Sequence, residues 1–441
     1  MAVAYSCAWP SANGPGGRAV RHRRHMISWC PPGTWGRAEA RAGRRSGNSG
    51  RVITRTLPFA YPAVGIPTGR TGIIRALATF GAIGRDAMWD FAGRDTAIDL
   101  GSATVRMHVR DRGVVCREPS LLARCRRTGR ILALGGPAQE MAGRNPDVTL
   151  VRPIRRGAPT ETDEAEYLMR HLVRKHHRRH YTARPRLVMT VPSGLSSVHF
   201  RALQFSAYQA GARRLTLVPT PIAAAIGMGM TSSARPEVAV IADIGADVTD
   251  VGVIAFGGLV TSHTAHVGGA ALDRAIAALV RREQNVALSV SAAEAAKLAV
   301  GAVPPLGRRP VRQTVVHGRD VATGMPREVV LTTVDIGRAI AGPVAEIVEA
   351  IGTGLAGCSP EISGDLLSVG ITLTGGSARL PGLERLIRDR TGLAARIGDD
   401  TGDAAVLGAG EVLRSAHSQE PSARESSPRP HLVTTVPEFE Y

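Results

Sequence analysis

Residues 238–259 read V-A-V-I-A-D-I-G-A-D-V-T-D-V-G-V-I-A-F-G-G-L, and this stretch decides the fold. An apolar run ends in Asp243, Ile244 and Gly245, a short polar turn follows, and a second apolar run begins at Val251. That is the pattern of a strand, a tight loop and a returning strand. A glycine at the mouth of such a hairpin lets backbone N–H groups approach phosphate oxygens, and an aspartate beside it holds a metal through water. Asp-x-Gly turns occur in many hairpins, so the turn alone says little. It gains weight because residues 97–105 repeat it as A-I-D-L-G-S-A-T-V, with Asp99, Leu100 and Gly101 between two apolar runs.

Around these hairpins the chain alternates. Strands are expected near 96–100, 103–109, 113–116, 120–125 and 130–134, as one meander. Ala165, Leu168, Met169, Leu172 and Val173 have helical spacing and predict a helix over 163–177. A strand over 187–191 closes in Pro192-Ser193-Gly194, and a helix over 196–210, a strand over 215–218 and a helix over 222–230 follow. Beyond the second hairpin come a strand to His266, helices over 272–283 and 291–301, and a weakly alternating stretch, 302–333. A long helix over 334–355, a strand over 369–374 ending in Gly375-Gly376, and helices over 380–390 and 403–414 complete the pattern. Two halves, each led by a strand–Asp-x-Gly–strand hairpin, imply two α/β domains facing each other across a cleft. The expected division is an arm over 1–92, domains over 93–237 and 238–402 with a small strand-rich insert at about 285–333, a returning helix over 403–414, and a disordered tail over 415–441.

Composition separates the arm from the rest. Of the net charge of +18, residues 1–87 contribute +11, with thirteen Arg, no Lys and only Glu39 and Asp86 as acids. The high pI is therefore mostly a property of the arm, and no nucleic-acid partner is expected, because no aromatic-interleaved basic groove accompanies it. The arm reads either as a basic segment for anionic surfaces or for targeting, or as sequence upstream of a true start at Met88. No run of eighteen apolar residues is present, so no membrane-spanning helix is expected. The five cysteines, Cys7, Cys30, Cys116, Cys125 and Cys358, match no zinc or redox spacing. Cys116 and Cys125 are placed to be neighbours across a hairpin, and reduced cysteines are expected.

Two Asp-x-Gly hairpins and a late Gly-Gly turn resemble the actin, sugar-kinase and heat-shock-chaperone ATPase superfamily. Closer wording narrows this to the MreB-type bacterial actins, the rod-shape-determining proteins, over about 95–413. The matching stretches include D-L-G-S-A-T (99–104), E-P-S (118–120), V-R-P-I-R-R-G (151–157), P-I-A-A-A-I-G (221–227) and L-T-G-G-S-A-R-L-P-G-L (373–383). The resemblance implies an actin-like ATPase fold that binds ATP with Mg2+ in the cleft. It assigns Asp99, Gly101, Ser102 and Ala103 to the first phosphate loop, and Asp243, Gly245, Ala246 and Asp247 to the second. Asp99 and Asp243 would hold the metal through water. Gly375, Gly376 and Ser377 match the adenosine loop, and Glu294 and Lys297 match an E-x-x-K pattern at the adenosine site, the alternative for that pair being a solvated helical ion pair.

The departures bear on activity. The family's second loop usually reads D-I-G-G-G-T-T-E; here it reads D-I-G-A-D-V-T-D. A carboxylate at Asp247 would repel phosphates by roughly 3 kcal/mol at ~5 Å and an effective dielectric of ~20. The family's water-positioning glutamate is replaced by Thr220, which cannot act as a general base, a loss that typically costs on the order of 10²–10⁴-fold. Weakened hydrolysis is expected.

The family lies on the inner membrane face. Here the basic stretch 176–184, H-H-R-R-H-Y-T-A-R, or the pair Trp89 and Phe91, would make that contact, with a solvated loop and packing against the domain as the plainer alternatives. The favoured reading is a cytoplasmic filament protein, peripheral to the membrane, that self-associates and organises peptidoglycan synthesis with cell-wall or morphogenesis partners. The alternative is a degenerate, non-polymerising paralogue acting as a scaffold. A small-molecule kinase or chaperone ATPase is disfavoured by the rod-shape wording and by the lack of a peptide-binding domain after Leu413.

Overall fold

The computed structural model describes residues 94–177, 184–230, 238–307 and 310–418. The arm with Met88, Trp89 and Phe91, residues 178–183 of the basic stretch, and the tail from 419 lie outside the described residues.

The first half runs β1 (Thr96–Leu100), β2 (Thr104–Val109), β3 (Gly113–Pro119), β4 (Leu122–Cys125), β5 (Ile131–Leu134), α1 (Gly135–Glu140), β6 (Val148–Val151), β7 (Ile154–Arg155), β8 (Ala158–Pro159), α2 (Thr162–His176), β9 (Arg186–Val191), α3 (Ser197–Gln209), β10 (Arg214–Pro219) and α4 (Thr220–Gly227). The second runs β11 (Ala239–Ile244), β12 (Thr249–Ala255), β13 (Gly258–Ala265), α5 (Gly269–Gln284), β14 (Val286–Ala287), α6 (Val290–Val300), β15 (Gln313–Asp320), β16 (Pro326–Thr332), α7 (Thr333–Ala356), α8 (Pro360–Val369), β17 (Ile371–Thr374), α9 (Leu383–Thr391) and β18 (Ala395–Ile397), and α10 (Ala404–Ser418) follows.

The two halves repeat one topology. Their sheets have the orders β10-β9-β1-β2-β3 and β13-β12-β11-β17-β18. Each is a three-stranded antiparallel meander extended by two parallel strands. Parallel neighbours require crossover connections, which helices provide, and a sheet covered on both faces reads as a near-continuous apolar run. That is why β9, R-L-V-M-T-V, and β12, T-D-V-G-V-I-A, are buried at every position. One core lies around Ile98, Met107, Leu168, Met169, Leu187 and Met189 in the first half, and another around Val240, Ile276, Ile340, Ile347, Ile351 and Leu373 in the second.

The expected meander is two sheets, not one. After β3 the chain leaves the first sheet, and β4 pairs with β5 and β6 in a separate sheet of order β5-β4-β6. Pro119 has no N–H to continue the ladder, and Ser120 instead donates its N–H to the Ala103 carbonyl, 2.9 Å away. Cys116 on β3 and Cys125 on β4 consequently sit in different sheets, each a free thiol, and are not hairpin neighbours. Residues 286–332 hold the small sheet β14-β15-β16 together with α6.

Helix α7 is long and apolar enough by composition to cross a membrane, but Ile336, Ile340, Val344, Ile347 and Ile351 are buried in the second core. Its start is fixed by a capping box. Thr332 Oγ1 accepts from the Asp335 N–H at 3.2 Å, and Asp335 Oδ2 accepts from the Thr332 N–H at 3.0 Å. The last helix, α10, runs to Ser418, four residues past the expected end at 414. It packs on α4, β1 and β9 of the first half. Its crossing with α4 depends on absent side chains: a Cβ on Gly408 would stand 1.7 Å from the Ala223 carbonyl oxygen, and one on Gly227 would stand 2.0 Å from that of Ala404.

Candidate functional site: the cleft between the two sheets

Strand ends from both halves open onto one cavity of about 950 Å³. Every cleft residue singled out in the sequence lines it: Asp99, Gly101, Ser102 and Ala103 after β1; Thr220 at the start of α4; Asp243, Gly245, Ala246 and Asp247 after β11; Glu294 and Lys297 on α6; and Gly375, Gly376 and Ser377 after β17.

The two aspartates are held alike. Asp99 on β1 lies in register with Thr190 on the parallel strand β9, and Asp243 on β11 lies in register with Thr374 on β17. Thr190 Oγ1 donates to Asp99 Oδ1 at 2.7 Å, and Thr374 Oγ1 donates to Asp243 Oδ1 at 2.9 Å. The antiparallel partners differ. Arg106 stands opposite Asp99, with its guanidinium 3.4 Å from Oδ2, and Asp250 stands opposite Asp243. Arg106 also reaches Asp403 at the start of α10, at 3.1 Å, and Arg117 on β3 pairs with the same carboxylate.

Asp243 opens onto the cleft but is enclosed by protein on its other sides. Burial, and next the charge of Asp99, push its carboxyl up to about 7, against the Thr374 hydrogen bond. A cation near both carboxylates would favour the ionised form of each. Burial also pushes Asp250 up to about 6, although it accepts from Ser193 N–H at 2.9 Å, Ser193 Oγ at 3.1 Å and Thr264 Oγ1 at 2.6 Å. Ser193 belongs to the first half, so this carboxylate also ties the halves together.

Backbone contacts shape the loops. Arg152 donates to the Ser102 carbonyl at 2.9 Å in the first. In the second, Gly245 N–H bonds Val248 O at 2.8 Å, and the Gly269 and Ala270 N–H groups opening α5 bond the carbonyls of Gly245 and Ala246 at 3.0 and 2.8 Å. Ser377 Oγ donates to the Gly245 carbonyl at 3.0 Å and joins the third turn to the second loop. Gly375 adopts φ +83, and a Cβ there would stand 2.4 Å from the Ile244 carbonyl oxygen, so both conformation and space demand glycine.

Lys297 does not pair with Glu294. Its ammonium lies 2.8 Å from Asp273 Oδ1 on α5 and donates to the Gly269 carbonyl at 3.3 Å, while Glu294 is exposed at the cavity wall. The solvated helical ion pair is thus ruled out: the lysine is nearly buried and its partner lies on another helix. Burial raises the Asp273 carboxyl, and the Lys297 hydrogen bond and charge pull it back. Thr220 donates its hydroxyl to the Val191 carbonyl at 3.0 Å.

Asp273, Arg106, Thr190 and Thr374 escaped the sequence reading. Arg106 carried a usable signal, a charge inside the strand T-V-R-M-H-V. Thr190 and Thr374 carried a weaker one, a hydroxyl at or beside the C-terminal end of a buried strand.

Comparison with known proteins agrees with this architecture. The sequence profile of the MreB/Mbl protein family matches residues 93–421. The cell shape-determining protein Mbl of Bacillus subtilis is 32% identical over 321 residues, covering 73% of this chain and 96% of that protein. The cell shape-determining protein MreB of Escherichia coli is 34% identical over 325 residues, covering 72% and 93%. Among solved structures, MreB5 of Spiroplasma citri bound to AMPPNP superposes with a TM-score of 0.69 at 27% identity, covering 74% of this chain and 97% of that one. The MamK double helical filament, at 20% identity and a TM-score of 0.61 over 74% of this chain, shares the fold. The chain has the actin-like fold of two related α/β domains and belongs to the MreB/Mbl family of cell shape-determining proteins.

Proposed function

We propose that this chain is an actin-like cytoskeletal protein that binds ATP with Mg2+ in the cleft, assembles into filaments at the inner face of the cytoplasmic membrane, and organises peptidoglycan synthesis with cell-wall or morphogenesis partners, with hydrolysis weakened. The observation that carries this reading is the convergence of both Asp-x-Gly loops and the Gly375–Ser377 turn on one cavity. The two S. citri MreB5 structures, bound to AMPPNP and to ADP, support nucleotide as the occupant.

The residues fit the metal. Asp99 and Asp243 face the cavity from opposite sheets, and a cation between them would offset the Asp99 charge that helps to raise Asp243. Mg2+ held there through water would neutralise phosphate charge. The chain's own groups do the rest: Ser102 and the loop backbone face the phosphates, Gly375 and Gly376 let the base lie against the main chain, and Glu294 and Lys297 border the adenosine end.

The alternative is a degenerate, non-polymerising paralogue that scaffolds or regulates wall synthesis. It is favoured by Thr220, whose hydroxyl is engaged by Val191, and by the carboxylate that Asp247 adds to the cavity wall. Sedimentation with and without ATP, in solution and with anionic vesicles, separates the two. Pelleting with ATP is expected; a protein that stays in the supernatant under every condition overturns the filament reading. ATP binding and turnover on a chain beginning at Met88 test the site, with binding and little phosphate release expected.

A further inference from the structure

At the outer edge of the first sheet, β3 and the end of α2 bring together three side chains far apart in sequence. Cys116 and Glu118, two residues apart, share a face of β3, and His176 is the last residue of α2. One donor atom from each lies within 4.8 Å of the other two. Cys116 is buried and is a free thiol. His176 Nε2 is shut off from solvent and has no hydrogen-bond partner among the described residues. The helix end that carries it is held in place by Arg112, which donates to the His176 carbonyl at 3.3 Å.

We propose that Cys116, Glu118 and His176 form a binding site for one divalent transition-metal ion of the zinc class. Thiolate, imidazole and carboxylate together are a donor set for zinc, whereas the hard cations Mg2+ and Ca2+ take oxygen ligands only. Bonds of about 2.0–2.3 Å place tetrahedral donors roughly 3.5 Å apart, so the present spacing closes by small side-chain rotations. Three protein ligands leave a fourth position for water.

The charges already standing there match the exchange. Lys175 pairs with Glu118 Oε1. On binding, the Cys116 S–H bond breaks, its proton leaves to solvent, a sulfur–metal bond forms, and the Lys175 ammonium is freed from the carboxylate. The ion would tie the end of α2 to the edge strand of the sheet.

The test is a titration of the full chain, stripped with chelator and kept reduced, with Co2+ and then Zn2+. A thiolate-to-cobalt charge-transfer band, saturating at one equivalent and abolished by Zn2+, is expected. Cys116→Ser should remove the band, and a variant with Cys7, Cys30, Cys125 and Cys358 all changed to Ser should keep it. His176→Gln should weaken Zn2+ at least tenfold, and Lys175→Ala, which removes the competing ammonium, should tighten it. The absence of a band in the wild type overturns the proposal, as does a band that survives Cys116→Ser. If that variant does not fold, unchanged Zn2+ affinity in His176→Gln overturns it equally.

Discussion

Thr374 holds Asp243 from the register position directly beside it on the neighbouring parallel strand, Oγ1 to Oδ1 at 2.9 Å. The bond favours the ionised carboxylate, yet burial and the charge of Asp99 outweigh it. A cation bound beside it would favour the ionised form and reverse that balance.

Stability should therefore depend on pH through Asp243. Folding raises this carboxyl from its ordinary 3.8 to about 7. The folded state keeps a proton that the unfolded chain releases, so the group's stabilising contribution is complete below about pH 4 and is lost as pH rises through about 7. Asp243→Asn should match the wild type near pH 4 and exceed it at pH 8 by roughly 4 kcal/mol at most. Urea denaturation in chelator across this range is the measurement, and a difference that stays flat with pH refutes the assignment.

Thr220→Glu combined with Asp247→Gly should raise phosphate release at saturating ATP by about 10²-fold or more, the scale on which a positioned general base acts. A wild-type rate already equal to that of the double variant would show that the site is not weakened.

Lys297 and Asp273 form a nearly buried ion pair, with side chains 11% and 6% exposed. Removing one partner strands the other. Lys297→Met should cost about 3–5 kcal/mol, and Lys297→Met with Asp273→Leu should recover much of it. Chemical denaturation of the single and double variants reads this coupling directly.

Gly408→Ala should be poorly tolerated, because the new methyl would meet the Ala223 carbonyl, which is fixed backbone. A loss of about 3 kcal/mol or more is expected. Gly364→Ala in α8, where a Cβ meets nothing within 4 Å, is the neutral control. Equal midpoints for the two variants would refute the close crossing.

Much of this architecture was legible because its signals are local. A strand buried on both faces reads as an apolar run, and Gly101 and Gly245 mark loops that follow an aspartate directly. Where tertiary packing decides, the sequence was silent. The exit of the chain at Pro119 from one sheet into another depends on which carbonyl Ser120 finds. Helix α8 is short and contains Gly364, which blurs its periodicity. The partner of Lys297 lies 24 residues away on another helix, so no local pattern could show it. Cys116, Glu118 and His176 show no metal spacing because their proximity is made by a sheet edge and a helix end.

The repeated sheets carry one substitution with a consequence of its own. The strand position facing the leading aspartate is Arg106 in one copy and Asp250 in the other. Arg106 faces the cavity and pairs with Asp99, whereas Asp250 accepts from Ser193 across the divide. Two copies of one structural unit have thus divided their labour at a single site, one supplying charge to the pocket and the other a latch between the lobes. Damage to Arg106 alters what the cleft attracts, and damage to Asp250 alters how firmly the lobes are joined.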